Sequence, residues 1–163
     1  MLNERSLGKQ PTGREQRYTA TFEVSYTPGI LRAIGYDAGQ PVATWELQTV
    51  GVPASIRLTP DRARIGATGD DLSFITVEVV DAQGRIDPNA DHQIFFTVQG
   101  EGVTAAVGSG NPVSEEPYRG NQRSVYEGRC LVAVKTTGTP GTITLRAHAD
   151  GLDPAEITLE AVS

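Results

Sequence analysis

Glu115 and Glu116 are neighbouring carboxylates in a stretch, Gly108–Gly128, that also holds Asn111, Tyr118, Arg119 and Arg123. Two carboxyls with different proton affinities can act as general acid and general base. Asn and Arg side chains can hydrogen-bond sugar hydroxyls, and a Tyr ring can stack on a sugar's C–H face. Those five positions, Asn111, Glu115, Tyr118, Arg119 and Arg123, are therefore the candidate ligand-binding set. The competing reading is structural: Arg119 and Arg123 pair with the glutamates and pin the loop. It is preferred, and catalysis by the pair is disfavoured further because one loop forms no cleft around the two acids. No catalytic residue is assigned.

Other reactive residues are scattered. Asp81, Asp87, Asn89 and Asp91 could offer oxygen ligands to a hard cation, but their spacing matches no calcium loop. Asp70-Asp71 before a strand reads as a turn. His92 and His148 have no Cys or second His at ligand spacing, so no metal site and no cofactor are expected. No Ser sits in a nucleophile elbow, and Gly108-Ser109-Gly110 is too short to cradle phosphate. Cys130 alternates with Val132 and Val134, as a small buried hydrophobe would. As the sole cysteine it allows no internal disulfide. Trp45, with Tyr18, Tyr26 and Tyr36, could form an aromatic platform, but Trp45 shares a face with Leu47 and reads as core or interdomain packing.

The elements that position these residues are strands. The 163 residues include 17 Thr, 15 Val and 9 Ile against 2 Lys, with 18 Gly and 10 Pro, a balance that favours strands and tight turns. A net charge of −6 without a basic cluster argues against nucleic acid as a partner. No stretch is apolar enough to suggest a membrane span. Met1–Arg5 runs straight into polar sequence, so no leader is legible there.

Period-two alternation marks seven strands in the second half. They run through Ile56–Leu58, Ile75–Val79, Ile94–Val98, Val103–Val107, Cys130–Val134, Ile143–Ala147 and Ile157–Ala161. Each has one apolar face, and burying those faces takes two facing sheets. The expected fold is all-β, an immunoglobulin-like β-sandwich over residues 52–163 without the cysteine–tryptophan–cysteine core of antibody domains. Asp81–Gly84, Thr139–Gly141 and Asp150-Gly151 supply its turns. Residues 1–51 alternate over Tyr18–Val24, Ile30–Tyr36 and Val42–Val50, with a stub at Leu2–Leu7. Three strands and a stub are too small to stand alone, so this part reads as a truncated second immunoglobulin-like module. Its cut edge could pair with a second copy and give dimers.

Leu2-Asn3-Glu4-Arg5-Ser6-Leu7-Gly8 resembles the "LNGKSLG" hairpin of a small immunoglobulin-like module found in glycoside hydrolase family 2 enzymes. Val24–Gly29 and Ala33–Tyr36 are similar to that module's "V-x-Y-x-P-G-x-L-x-A-x-x-Y" signature. Asp70–Val79 resembles the "DLSxVTVEVxD" strand of the C-terminal domain that follows it, and Gly108–Pro112 its "GNGDP" loop. In that loop Asn111 stands where the family has Asp, which removes a carboxylate.

The resemblance implies the C-terminal part of a β-galactosidase-like exo-glycosidase. In such enzymes a (β/α)₈ barrel elsewhere in the chain carries two glutamates about 5 Å apart, as retention requires. It implies an accessory role, packing against or spacing that barrel, with the parent's other domains as partners and a periplasmic or extracellular parent. The alternatives are a carbohydrate-binding module, with carbohydrate as partner, and an adhesin-type repeat.

Overall fold

The computed structural model describes all of residues 1–163 and divides them into two compact units, Met1–Thr49 and Val50–Ser163. There is no α-helix; Arg14–Gln16 forms one 3-10 turn.

In the first unit, β1 (Ile30–Asp37) and β2 (Gln40–Gln48) form an antiparallel hairpin with Leu31 opposite Leu47 and Ala33 opposite Trp45. The chain reverses at Ala38-Gly39, where both φ angles are positive, 46° and 81°. Two left-handed residues match the twist of the flanking strands, and the β-carbon of Ala38 opposes that conformation. Ala38→Asn should slow amide exchange across β1 and β2 roughly fivefold, as about 1 kcal/mol of turn strain is relieved. Equal or faster exchange would show that the turn is unstrained.

Tyr18–Val24 departs from the expected strand. Arg17 and Tyr18 both adopt left-handed φ angles, and residues 19–27 pair with no strand. Alternation specifies a strand only where a partner covers its apolar face, and none does: Tyr18, Phe22 and Val24 are exposed. The Leu2–Leu7 stub is a tight turn, with Leu2 bridging to Arg5 and Leu31. Asn3 ties it down, accepting from the Ile30 amide at 2.8 Å and donating to the Pro28 carbonyl at 2.9 Å. Trp45 is 71% exposed, so it is not core.

The second unit holds nine strands. These are β3 (Pro53–Pro60), β4 (Arg64–Gly66), β5 (Leu72–Asp81), β6 (Gln93–Gly100), β7 (Gly102–Gly108), β8 (Gln122–Ser124), β9 (Arg129–Thr136), β10 (Gly141–His148) and β11 (Ala155–Val162). One sheet has the order β4-β11-β10-β6-β8, the other β3-β5-β9-β7. Neighbours are antiparallel except β11 and β4, where Ala161 lies opposite Ile65. The result is an immunoglobulin-like β-sandwich. All seven alternating runs are strands, and their inward residues make the core: Ile75, Val77, Val79, Ile94, Val132, Val134, Ile143, Leu145 and Leu159 are fully buried, with Phe96 among them. Cys130 is buried there too, and desolvation pushes its thiol up to about 12.

Asp81 terminates β5 and organises the reversal after it. Its carboxylate accepts from the amides of Gln83, Arg85 and Gly51 and from Arg85 Nε, all at 2.8–2.9 Å. Gly84 takes φ 78° and donates to the Asp81 carbonyl. Asp71 likewise accepts from the Gly66 and Leu72 amides and from Arg62. These carboxylates serve the backbone.

Candidate functional site

The β7–β8 loop crosses one end of the sandwich, and β8 is held to β6 by the pairings Gln93–Ser124, Ile94–Arg123 and Phe95–Gln122. Ile94 faces the core, so Arg123 opposite it points inward as well and is 1% exposed. A guanidinium there must be fully partnered. Its Nε and Nη2 each donate to Ser109 Oγ at 3.2 Å, and its Nη1 donates to the Glu116 carbonyl at 3.0 Å. Nε also lies 3.5 Å from the Glu116 carboxylate, and the guanidinium sits 5.3 Å from the Tyr118 ring centre.

Glu116 closes the network. Its Oε1 accepts from the Ser124 hydroxyl at 2.9 Å and the Ser124 amide at 3.2 Å, while Ser114 Oγ lies 3.4 Å from Oε2. Partial burial pushes the Glu116 carboxyl up, but the Ser124 donors and the Arg123 charge outweigh it and hold it below its ordinary range. That is the opposite of what a general acid needs.

The loop thus brings Glu116, Tyr118 and Arg123 together and leaves the other three candidates outside. Asn111 is spent on a local turn, accepting from the Val113 amide at 3.0 Å. Glu115 and Arg119 are exposed and make no ion pair, so the expected pairing of both arginines with the glutamates is realised only by Arg123 and Glu116. Arg119 borders a shallow, open concavity of about 270 Å³ with Gln93, Glu116 and Asn121. Ser109, Ser114 and Ser124, which complete the network, carried no sequence signal beyond their place beside Arg123 and Glu116.

Acid should destabilise the sandwich at both ends, since Asp71 precedes β5 and Asp81 closes it. The folded-state affinities of Asp71, Asp81 and Glu116 for protons are all depressed, so their contribution is complete above the unfolded carboxylate pKa of about 4 and is lost as pH falls below it. Urea midpoints should be level from pH 7 to 5 and drop below pH 4, with a shallower drop for Asp81→Asn. A midpoint that rises on acidification would contradict this.

Fold and site together define a two-sheet β-sandwich module whose polar loop is held by a buried arginine. Residues 56–158 match the family model described as glycoside hydrolase family 2 C-terminal domain 5, and the chain belongs to that family. Residues 1–43 match a domain of unknown function, DUF4982. The chain is 41% identical over 160 residues to a β-galactosidase of Bacteroides ovatus, covering 98% of this chain and 19% of that protein. It is 31% identical to a β-glucuronidase of Formosa agariphila, covering 99% of this chain and 16% of that protein. A solved glycosyl hydrolase family 2 member from Bacteroides cellulosilyticus superposes with a TM-score of 0.95 at 36% identity, over 100% of this chain and 21% of that one. The chain thus spans about a fifth of the length of these relatives.

Proposed function

We propose that residues 1–163 are a non-catalytic accessory region of a β-galactosidase-like glycosidase whose chemistry resides elsewhere in its chain. The observation that carries this is the alignment: nearly all of this chain corresponds to about a fifth of a β-galactosidase. The loop chemistry agrees, since retaining hydrolysis needs two free carboxyls about 5 Å apart with one held as an acid, whereas Glu116 is bound into the fold as the anion of an ion pair with Arg123. The region's task is mechanical: to pack against and space the domain that does the hydrolysis.

The test is kinetic. In the full-length parent, Glu115→Gln combined with Glu116→Gln should leave kcat/KM for a nitrophenyl β-galactoside within about twofold of wild type. A loss of roughly 100-fold or more in a folded variant, the scale of a missing acid or base, would place chemistry in this loop.

A further inference from the structure

The two sheets of the sandwich present unlike outer faces. Among strand residues of the second unit, the exposed large apolar side chains are Phe74, Val103 and Leu131, and all three lie on the outside of the four-stranded sheet. The register makes Phe74 and Leu131 diagonal neighbours and places Val103 across β9 from Phe74, beside Lys135. Phe74 is opposite Ala133, which is opposite Ala106; Leu131 lies between Thr76 and Gly108, where the Tyr118 ring closes over the missing side chain; Val103 is opposite Lys135. The row Arg57–Glu78–Arg129, joined at 2.8 and 3.2 Å, borders the patch with charge. The outside of the five-stranded sheet is mostly polar, showing Thr97, Thr144, Arg146, Glu156 and Thr158, with the half-buried Phe95 stacked on His148 at its edge. An apolar patch with a charged rim marks a docking surface.

We infer that the outer face of the β3-β5-β9-β7 sheet, centred on Phe74, Leu131 and Val103, docks onto an apolar surface of another domain of the same polypeptide. This rests on the accessory reading above and says which face does the packing. About four-fifths of the length of the related β-galactosidase lies outside the matching region, so ample chain is available to cover it. A second copy is the weaker occupant. A stable dimer buries on the order of 1,000 Å² or more, beyond what three half-exposed side chains offer. A tethered domain works at an effective concentration near the millimolar range and needs far less.

Cysteine labelling tests this. Cys130 is buried with its thiol pushed up to about 12, so it gives little background. Phe74→Cys, Val103→Cys and, as a control on the other sheet, Thr158→Cys are treated with a maleimide in residues 1–163 alone and in the full-length parent, with peptides read by mass spectrometry. The expected result is that both patch cysteines label at least tenfold more slowly in the parent, while the control keeps its rate. Equal rates in the two proteins, or slowing at Thr158→Cys instead, would overturn the inference. So would protection within residues 1–163 that grows with concentration, the mark of a second copy. Glycoside hydrolysis by residues 1–163 alone would sink the accessory reading without touching the labelling result, so the two failures are distinguishable.

Discussion

Replacing Arg123 with methionine should destabilise the sandwich by about 3 kcal/mol, near the lower end of what breaking a buried ion pair costs. Methionine fills much of the same volume, so the loss is not chiefly a cavity. It is the loss of the donors that satisfy Ser109 Oγ and the Glu116 carbonyl, and of the charge facing the Glu116 carboxylate. Ser124 would still donate to Glu116, but the carboxylate would then hold its charge with no cation beside it. Arg123→Lys should fall in between, because one ammonium cannot reach acceptors on Ser109 and Glu116 from opposite sides of a planar fork. Urea unfolding followed by circular dichroism is the measurement, since the lone Trp45 belongs to the other unit. A loss below about 1 kcal/mol for Arg123→Met would mean that the loop is held by its backbone and not by this network.

Phe96→Ala should cost about 4 kcal/mol, within the usual range for emptying a buried aromatic site. Phe96 is 2% exposed on β6, and its cross-strand partner on β10 is Ala147, which is fully buried and too small to fill the space. Next to Ala147 on β11 lies Ala155, which is equally short. The ring therefore supplies volume that its alanine neighbours cannot replace by changing rotamer. Phe96→Leu keeps most of that volume and should cost no more than about 1.5 kcal/mol. If alanine and leucine cost the same, the core collapses around the site and the packing argument fails.

Most of the sandwich was legible because its strands are half-buried and alternate cleanly. Ile143, Leu145 and Ala147 face in while Thr144 and Arg146 face out. The two strands that escaped notice, β4 and β8, are three residues long, and the inward residue of β8 is Arg123. A buried arginine inverts the hydropathy signal on which a strand assignment rests. In the first unit the same rule over-reached: Tyr18, Ala20, Phe22 and Val24 alternate, but no strand in residues 1–49 lies beside them. Alternation records which face a segment would bury, and pairing depends on what lies across from it.

The site was legible in its charges and not in its hydroxyls. Glu116 and Arg123 stand seven residues apart, and their pairing follows from a loop that folds back on itself. Nothing in the sequence distinguishes Ser109, Ser114 and Ser124 from any other loop serine. Their positions come from the closure of β8 onto β6, a long-range pairing that local sequence does not encode. Arg119 shows the converse: its charge invited a partner, and its exposure removes the need for one.

The most direct measurement is the turnover of nitrophenyl β-galactoside and β-glucuronide by residues 1–163 purified alone, beside the full-length parent at equal concentration. An accessory module predicts hydrolysis by the parent and none above buffer by the isolated chain. Turnover by the isolated chain that survives repurification and disappears in Glu115→Gln or Glu116→Gln would contradict the account and make this loop an active site.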